Sequence, residues 1–519
     1  MTDASLRINK NGKLYIAMLC VLLLYVFLRS VAAASTSGFW FDEIITSSVA
    51  AQPSMKVVWR VLSTGVDGQP PGFYVVERAA AALVGKKEMA MRLPSIVAFS
   101  CTLVCVFVYV RRRSGEAIAF LCALTLLSTA LFQRYAIEAR PYALIVACFA
   151  FALVCYQRLP SVFWTVMLGI SLVLAQSFHH YSVFAMTPFG LAELVVLWRG
   201  RKLRWGVWLA LAVGPVPLAF FWPLLASVRA YLGAHFQVHY TYTAIPSTYG
   251  EFFLVDSGYG AALAAICAAG LIGLYVGPWR ESEMAAADSR TTELAEGVLL
   301  LSLVGLPFIA FTAVKIAHGV MRSSYLIVLV LGVCLAIGCM LSRARSWAVA
   351  LFAVFLLFDL GLREYKFWQG AHSLRFVPPT VGLEGFVDRS GYGNSPLPLV
   401  VASGMVYTPL AYYSSAPLRS RLFYLTDEAK ELQLQGSDSF DKNVKVLKNY
   451  TPLQIRDYAE FTATHPVFLL YGEDPGYGDS WLAVYLVSAG YSVQAIGTNA
   501  TRRLFLVDMR VKREAQAAF

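Results

Sequence analysis

LPSIVAFSCTLVCVFVYVRRR, residues 93–113, decides the fold, because an uncharged apolar stretch over 93–110 runs directly into three arginines. A helix that crosses the bilayer needs roughly 20 mostly apolar residues. An excess of Lys and Arg marks the cytoplasmic side of such a helix. The stretch therefore predicts a membrane-spanning helix that ends in the cytoplasm.

The composition of the whole chain agrees with this reading. Of its 519 residues, 58% are hydrophobic and only 14% are charged, and the mean hydropathy is +0.59. An average soluble domain carries about 25% charged residues, so an ordinary soluble protein, a disordered chain and a collagen-like fibre are excluded. The net charge of +11 also fits nucleic-acid binding. Here, however, Lys and Arg form short clusters between apolar runs, so we predict no nucleic-acid partner.

The pattern recurs along the chain and predicts about eleven spans, over 14–33, 93–110, 117–132, 141–157, 162–178, 183–198, 206–226, 260–277, 297–314, 324–341 and 346–362. Basic residues then gather on one side, namely Arg7, Lys10, Lys13, Arg111, Arg112, Arg113, Arg199, Arg201, Lys202, Arg204, Arg343 and Arg345. This bias predicts a multi-pass plasma (inner) membrane protein with a cytoplasmic N-terminus. The loops 35–91, 133–140 and 227–259 and the tail after 362 are then extracytoplasmic.

The start of the chain has a second interpretation. Basic residues, an apolar run and Ala32-Ala33-Ala34 are also typical of a cleaved signal peptide. Arg29 inside the apolar run favours a retained first span. Both interpretations export the loop that follows.

The tail from 364 to 519 regains charge and predicts a small extracytoplasmic α/β domain, separate from the spans of 1–363. Its expected strands lie within 396–404, 421–427, 465–474 and 501–509. Helical stretches near 404–415, 452–463 and 479–489 separate these strands. Strands that alternate with helices favour a mostly parallel sheet.

Cysteine and histidine give no metal signature. All nine cysteines fall in predicted spans, so neither disulfides nor a Cys-based zinc site are expected. All seven histidines fall on the outer side or in the tail, which concentrates polar chemistry there. His235 and His239 have the i, i+4 spacing of a metal pair, but no third ligand accompanies them. We also find no DxD motif, so no cofactor is indicated, although a divalent metal remains compatible with the chain.

The first outer loop contains GFWFDEIITSS, residues 38–48, with adjacent carboxylates at Asp42 and Glu43. Ordinary membrane-protein loops contain acids, so a solvated pair is one interpretation. The flanking aromatic residues suit the membrane interface. Carboxylates held at such a boundary often act as bases, which makes both residues catalytic candidates.

The same loop continues with DGQPPGFYVVER, residues 67–78. Pro70 and Pro71 stiffen the backbone and Gly72 permits a turn, while Tyr74 adds to an aromatic surface. This is either a plain turn between helices or a rigid corner beside an acceptor or lipid headgroup. Arg92 follows in RLPS at the mouth of the second span, where it either snorkels or caps a helix.

Three further outer segments supply candidates for binding an anion. QRYAIEARPYAL (133–144) contains Glu138, Arg140 and Tyr142. SFHHYS (177–182) and VMRSSYL (320–326) contain His179, His180, Arg322 and Tyr325. Each segment has a structural interpretation, such as a salt-bridged collar. Paired guanidinium groups are also well suited to bind phosphate.

The order and sidedness of these motifs resemble the GT-C superfamily of membrane glycosyltransferases. The resemblance is strongest to bacterial relatives of protein O-mannosyltransferases and of the lipid A aminoarabinose transferase. It rests on FDE after the first span, QPPGFY, RLPS, EARPYAL and HHYS, and on Arg322 with Tyr325 at the start of the span 324–341. It covers most of 14–362, and the tail resembles the small outer domains of such enzymes less specifically.

The resemblance implies a hexosyl or pentosyl transferase that uses a polyprenyl-phosphate-linked sugar. It implies transfer to a hydroxyl of a lipid, glycan or protein acceptor on the outer face, with inversion at the anomeric carbon. Asp42 matches the acid expected to act as general base, Glu43 completes the acidic pair, and Glu138 helps to shape the site. The candidates for the lipid phosphate are Arg140, Tyr142, His179, His180, Arg322 and Tyr325.

One residue departs from this pattern. Gln69 stands where relatives often have His or Lys before the two prolines, so it cannot supply positive charge. An inactive GT-C homologue is therefore one alternative. A transporter or flippase for a lipid-linked or envelope substrate is another, although the centres of the spans are nearly free of charge and no inverted repeat is evident. A non-enzymatic scaffold is a third.

Overall fold

The structure is a computed structural model. It describes residues 10–85, 88–235, 241–253, 257–275, 287–317, 321–370, 380–472, 480–499 and 502–512. Within these ranges the chain divides into two compact units. The first comprises 1–34, 69–222 and 240–374, and the second comprises 35–68, 223–239 and 375–519.

Helices account for nearly all regular structure before residue 390. They are α1 (Lys10–Thr36), α2 (Phe41–Ala50), α3 (Met55–Leu62), α4 (Pro71–Val84), α5 (Glu88–Leu127), α6 (Ala130–Ala136), α7 (Tyr142–Tyr156), α8 (Val162–Phe178), α9 (Ser182–Gly200), α10 (Trp205–Val213), α11 (Val216–Phe220), α12 (Trp222–His235), α13 (Ala244–Phe253), α14 (Ser257–Tyr275), α15 (Ala287–Val304), α16 (Leu306–Ala317), α17 (Leu329–Arg343), α18 (Ser346–Gly370) and α19 (Thr380–Arg389). A short 3₁₀ helix, η1 (Ser323–Leu326), precedes α17.

Every predicted span contains helix, and the chain is a multi-pass membrane protein. Among the described residues, five helices are long and apolar enough to cross a bilayer, namely Gly12–Thr36, α5, α9, α14 and Ser346–Gln369. The bent pair of α15 and α16 makes a sixth if it is counted as one span. The helices α7, α8 and α17 are apolar but shorter. The number of eleven spans stays a prediction.

Three predicted spans are not single straight helices: 117–132 is divided between α5 and α6, and the other two are broken at prolines. The stretch 297–314 bends by 62° between α15 and α16, just before Pro307. The stretch 206–226 is divided among α10, α11 and α12, with Pro215 directly before α11 and Pro223 in the first turn of α12. Proline lacks the N–H that continues a helix, and its ring clashes with the preceding turn.

The two predicted spans on either side of the arginine cluster form one continuous segment, α5, with a break inside it. Gly115 has a φ of +80° there, which interrupts the helical geometry. Only glycine adopts this left-handed conformation readily. The break therefore separates the spans 93–110 and 117–132 where the sequence placed the short loop.

The surface of the helical unit is apolar where a soluble protein would be polar. Along α18, Val354, Phe355 and Phe358 are each more than 60% exposed. Large exposed apolar faces of this kind are suited to lipid rather than water. Near the end of α18, Glu364 accepts hydrogen bonds from Tyr25 (2.6 Å) and Arg29 (2.8 Å) of α1. The arginine inside the first apolar run is thus paired with an acid on another helix.

The centre of this unit is formed by helices that bury most of their side chains. In α7 and α17, most residues are buried. α5 packs against both α7 and α17, and α7 also packs against α8. α9 packs against α15. These helices fix the positions of the polar loops at their ends.

The second unit contains a six-stranded sheet. Its strands are β1 (Leu399–Val401), β2 (Leu422–Thr426), β3 (Ile455–Asp457), β4 (Val467–Gly472), β5 (Tyr491–Asn499) and β6 (Arg502–Lys512). Their order in the sheet is β3-β2-β1-β4-β6-β5. The helices after β1 are α20 (Gly404–Tyr413), α21 (Ala416–Arg421), α22 (Glu428–Gln435), α23 (Ser439–Leu447), α24 (Tyr458–Thr464) and α25 (Trp481–Ser488).

The four predicted strand stretches contain β1, β2, β4 and most of β6. β5 was not predicted, and the stretch 452–463, predicted to be helical, is wrong in its first half because it contains β3 before α24 begins at Tyr458. β3 is only three residues long and two of them are exposed. The sheet is also less parallel than expected. β1, β2, β3 and β4 pair in parallel, but β6 pairs antiparallel with both β4 and β5. Only two residues separate β5 from β6, and so short a connection permits only an antiparallel pair.

Candidate active site

Asp42 and Glu43 lie in the first turn of α2, in the second unit. Glu43 is fully buried, and its Oε2 accepts a hydrogen bond from the backbone N–H of Trp40 at 3.3 Å. The positive end of a helix favours carboxylates in its first turn. Glu43 therefore caps α2. Asp42 is only half-buried, so it is the more accessible acid of the pair.

The double proline sets the start of α4. Pro70 is the residue before the helix, and Pro71 is its first residue, a position where proline costs nothing because its missing N–H would be unbonded anyway. The helix then packs very closely on the end of α8. A Cβ on Gly72 would lie 2.6 Å from the carbonyl oxygen of Ser177. Glycine is therefore required at position 72 for the start of α4 to approach the end of α8 this closely.

Two other expectations for this segment change. Tyr74 and its neighbour Phe73 are fully buried, with ring centroids 5.5 Å apart. The expected aromatic surface is therefore wrong, because these rings form part of the core. Gln69 is also buried, and its Oε1 has no hydrogen-bond partner among the described residues.

Arg92 is a helix-capping residue. It is 2% exposed, and its Nη1 donates a hydrogen bond to the carbonyl oxygen of Ala34 at 2.8 Å. That carbonyl is in the last turn of α1, where backbone acceptors have no intrahelical donor. Three residues later, the Ser95 hydroxyl donates to the carbonyl oxygen of Arg140 at 3.1 Å. The RLPS motif thus ties the start of α5 to α1 and to the segment before α7.

The segment before α7 holds Glu138 and Arg140 in a tight turn. The backbone N–H of Arg140 donates to the carbonyl oxygen of Glu138 at 2.8 Å. Arg134 forms an ion pair with Glu138, with 2.7 Å between Nε and Oε1. The Arg134 side chain is 57% exposed, whereas Glu138 and Arg140 are both buried. Arg134 thus fixes Glu138, and Arg140 adds a guanidinium to the interior.

Aromatic rings from three separate segments of the chain meet beside Arg140. We call Tyr135, Tyr142, His179, Tyr181 and Tyr325 the tyrosine cluster. Ring centroids lie 4.3 Å apart for Tyr135 and Tyr142, and 4.9 Å apart for His179 and Tyr325. Tyr181 and Tyr325 are 4.6 Å apart. Ser324 also donates to the Tyr142 hydroxyl at 3.4 Å, which joins η1 to the start of α7.

Positive charge reaches this cluster from two arginines. The charges of Arg140 and Arg322 both act on Tyr325, and that of Arg140 also acts on His179. The structure therefore brings together five of the six residues predicted for the phosphate, namely Arg140, Tyr142, His179, Arg322 and Tyr325. Hydroxyl groups and guanidinium groups that converge in this way are suited to hold an oxyanion.

His179 contributes as a neutral ring. Its Nδ1 accepts a hydrogen bond from the backbone N–H of Tyr181 at 3.1 Å, which leaves the ring proton on Nε2. Burial lowers the pKa of His179 well below its usual value, and the nearby His180 and Arg140 lower it further. At pH 7 His179 therefore offers an N–H donor without a positive charge. Positive charge beside the cluster therefore comes from Arg140 and Arg322.

His180 is held by its backbone rather than within the cluster. The Nε2 of Gln176 donates to the carbonyl oxygen of His180 at 2.9 Å, and the His180 ring packs edge-on against Phe221 with 6.4 Å between centroids. Sequence reasoning missed Gln176. A glutamine inside the apolar stretch 162–178, three residues before the HHY motif, is the sequence signal that could have found it, and the structure buries it fully.

Residues 68–226 match the family model of dolichyl-phosphate-mannose-protein mannosyltransferases. The resemblance to the GT-C membrane glycosyltransferases is thereby confirmed. The matched region contains the double proline, Arg92, Glu138, Arg140 and the HHY motif. Asp42, Glu43, Arg322 and Tyr325 lie outside it. No curated protein matches the sequence.

Three solved GT-C structures are similar to the chain. ArnT from Cupriavidus metallidurans bound to undecaprenyl phosphate is 14% identical, with 95% of this chain and 98% of that chain covered and a TM-score of 0.42. Its apo form is 15% identical, with 98% and 100% covered and a TM-score of 0.44. The Archaeoglobus fulgidus oligosaccharyltransferase in complex with zinc and sulfate is 10% identical, with 94% and 72% covered and a TM-score of 0.45. With TM-scores below 0.5, these likenesses by themselves assign neither site nor substrate to this chain.

The described residues contain no group of three or more His, Cys, Asp or Glu side chains placed to hold a metal ion. His239, one half of the suggested metal pair, and His318 lie outside the described residues. The nine cysteines are free thiols.

Proposed function

We propose that this chain transfers a sugar from a polyprenyl-phosphate-linked donor to an acceptor hydroxyl on the extracytoplasmic face of the membrane, with inversion at the anomeric carbon. The match of residues 68–226 to a family named for a dolichyl-phosphate-linked sugar carries the proposal. The tyrosine cluster and the two arginines beside it also support the proposal, because these groups are suited to bind the phosphate of the donor.

The reaction needs a base for the acceptor and positive charge for the leaving group. The acceptor oxygen attacks the anomeric carbon while the bond from that carbon to the phosphate oxygen breaks. Asp42 takes the proton of the acceptor hydroxyl. The polyprenyl phosphate departs with the bonding electron pair, and Arg140 and Arg322 stabilise its negative charge. Because the acceptor attacks from the face opposite to the phosphate, the configuration inverts.

The remaining site residues orient the reactants. Tyr142, Tyr325 and the neutral His179 donate hydrogen bonds to phosphate oxygens. Glu43 keeps α2 in place and so positions Asp42, while Glu138 fixes the turn that presents Arg140. Pro70, Pro71, Tyr74 and Arg92 hold α4 and α5 in position without touching the substrate. The eleven spans, the cytoplasmic N-terminus and the outer domain over 364–519 belong to the same proposal.

Gln69 motivates the alternative of an inactive homologue. A buried neutral amide cannot replace the charge of His or Lys. Two arginines already act on Tyr325, so the proposed phosphate site keeps a double positive charge without Gln69. We therefore propose an active enzyme in which Gln69 accepts a hydrogen bond from a donor or acceptor hydroxyl.

A transfer assay in membranes tests the function. Membranes that contain the wild-type chain or Asp42→Asn are incubated with a panel of radiolabelled polyprenyl-phosphate sugars, with total cell extract as acceptor. We expect transfer by the wild type and a decrease of at least roughly a hundredfold for Asp42→Asn, because general-base catalysis contributes about 10²–10⁴ in rate. The labelled product then identifies the class of acceptor.

Asp67→Asn is the matched control, since Asp67 lies in the same loop but has no proposed role. It should transfer at the rate of the wild type. If both aspartate variants are equally active, the enzyme is real and the assignment of Asp42 as base is wrong. If the folded wild type transfers nothing from any donor in the panel, the glycosyltransferase proposal fails and the transporter alternative is favoured.

A further inference from the structure

A polar cavity lies at the end of α7 opposite to the tyrosine cluster. Its volume is about 260 Å³, far more than the roughly 30 Å³ that one water takes in the liquid. α7 begins at Tyr142 in the cluster and ends at Tyr156 in the cavity wall. At 1.5 Å per residue, these two ends are about 21 Å apart. The cavity is therefore separate from the candidate active site.

One side of the cavity is held by a buried acid on α15. Glu296 is 7% exposed, and its Oε1 accepts a hydrogen bond from the Tyr109 hydroxyl at 2.5 Å. Its other oxygen forms an ion pair with Arg113. All three side chains line the cavity. The acid thus orients the Arg113 guanidinium in the wall.

The other side is held by a second acid, on α9. Glu193 is 1% exposed and pairs with two nitrogens of Arg204, with 3.0 Å between Arg204 Nε and Glu193 Oε2. The Nη2 of Arg204 also donates to the Tyr156 hydroxyl at 3.1 Å. Within the part of the chain that the structure describes, the Arg204 Nη1 has no hydrogen-bond partner. A fixed guanidinium in the wall of a cavity therefore keeps a donor for a ligand.

The rest of the lining is also rich in donors. Thr291 and Thr292 supply hydroxyl groups, and Lys202 supplies an ammonium group. Among the lining side chains, Arg113, Lys202 and Arg204 are cationic. Glu296 in the lining and Glu193 behind it pair with the two arginines, so Lys202 gives the cavity a net positive charge. Guanidinium, ammonium and hydroxyl donors around one space are the groups that recognise a tetrahedral oxyanion.

Exposed tryptophans show the depth at which this cavity opens. Trp198 and Trp205 are each 75% exposed, and they flank the wall residues Gly200, Lys202 and Arg204 along the chain. Tryptophan gathers at the boundary between hydrocarbon and headgroups. Basic pockets between transmembrane helices at that depth bind lipid headgroups.

We propose that this cavity binds the phosphate of an anionic phospholipid headgroup, at the membrane interface opposite to the tyrosine cluster. The lipid phosphate accepts hydrogen bonds from Arg204, Lys202 and the threonine hydroxyls. Because the wall combines residues of α5, α7, α9 and α15, the bound headgroup joins these helices and stabilises the unit. No bond is made or broken at this site.

Lipid-dependent thermal unfolding tests the proposal. The full chain is delipidated in an uncharged detergent and titrated with phosphatidylglycerol, phosphatidylcholine or inorganic phosphate. We expect phosphatidylglycerol alone to raise the unfolding temperature in a saturable way. Lys202→Ala should weaken its apparent affinity roughly fivefold, the usual value of one basic residue near an anionic headgroup. Arg345→Ala, which removes an exposed cation from the loop between α17 and α18, should bind like the wild type.

Thr292→Val is a second variant that leaves the charge unchanged, and it should also weaken binding. Equal stabilisation by phosphatidylglycerol and phosphatidylcholine would overturn the proposal. Wild-type affinity in both Lys202→Ala and Thr292→Val would overturn it as well. Stabilisation by inorganic phosphate at the same concentration would show that the cavity takes a free anion, and the assignment to a lipid would be wrong. None of these results depends on glycosyl transfer.

Discussion

At the scale of single residues, different side chains of the site supply the positive charge and the neutral hydrogen-bond donor. The positive charges of Arg140 and Arg322 act on Tyr325, whereas burial keeps His179 neutral. A motif such as HHY suggests two cations when it is read as sequence. The Tyr181 N–H bonded to Nδ1 instead makes His179 a neutral donor, which leaves the arginines as the residues to test.

Arg140→Lys should weaken the use of the donor. Lysine keeps the charge but loses the planar fork of donors that suits phosphate, and a hydrogen bond to a charged group is worth about 1.5–3 kcal/mol. We expect kcat/KM for the donor to fall roughly tenfold or more. Arg134→Lys is the matched control, because Arg134 is largely exposed and bonds to Glu138 rather than to the cluster. Equal losses in both variants would contradict a phosphate role specific to Arg140.

At the scale of secondary-structure elements, the double-proline motif works by helix packing. Pro71 begins α4, and Gly72 lets the backbone of α4 approach the last turn of α8. The HHY loop follows α8 directly. The motif therefore positions part of the tyrosine cluster through the contact between α4 and α8, rather than by touching the substrate.

Gly72→Ala should destabilise this contact. Its Cβ would lie 2.6 Å from a backbone oxygen, so the helices must separate. Overpacking of this kind costs about 1–3 kcal/mol, more than alanine gains over glycine in a helix. We expect a lower unfolding temperature in detergent. Gly68→Ala, where nothing lies within 4 Å of the added Cβ, should unfold like the wild type. If the two variants behave alike, the close approach of α4 to α8 is wrong.

In the second unit, the contact between β2 and α23 includes an acid that titrates, Asp441. Asp441 accepts hydrogen bonds from the Tyr424 hydroxyl (2.7 Å) and the Asp427 N–H (2.6 Å). Burial nevertheless raises the pKa of Asp441 to about 6. The folded state therefore binds this proton more tightly than the unfolded state, whose pKa is about 3.9. The contribution of Asp441 to the free energy of unfolding therefore increases as the pH falls from 7 to 4.

Asp441→Asn should remove this contribution. A raised pKa of this size corresponds to about 2–3 kcal/mol between pH 7 and pH 4. Because other groups also titrate, the measured quantity is the difference in unfolding temperature between wild type and variant at each pH. We expect the unfolding temperature of the wild type to rise relative to that of the variant as the pH is lowered. A difference that stays constant with pH would show that Asp441 does not titrate in this range.

At the scale of the whole molecule, the proposed topology places the basic loops in the cytoplasm and the tail outside. Glu460→Cys in α24 and Arg345→Cys between α17 and α18 test it, because both positions are exposed. A membrane-impermeant thiol reagent should label Glu460→Cys in intact cells. It should label Arg345→Cys only after permeabilisation. The wild type, whose cysteines are all in apolar helices, gives the background, and the reverse pattern would invert the topology.

From the sequence alone, the chain is recognisable as a helical membrane protein with motifs that resemble those of GT-C glycosyltransferases. Apolar runs of bilayer length and clusters of Lys and Arg are local signals, so they need no knowledge of distant contacts. Each predicted span contains helix for that reason. The bends near Pro215 and Pro307 were equally local, and the prolines could have located them. β3 was assigned to the helical stretch 452–463 because its three residues, two of them exposed, are too few to show the alternation of a strand.

Which polar residues meet depends on how the helices pack. Tyr142, His179 and Tyr325 are far apart in the sequence, and they come together because α7, α8, α9 and η1 pack side by side. The neutral state of His179, the cap that Glu43 forms on α2 and the burial of Tyr74 likewise depend on surroundings. A single sequence specifies how each helix forms, but burial and distance are properties of packed pairs. The roles of individual residues therefore follow from packing.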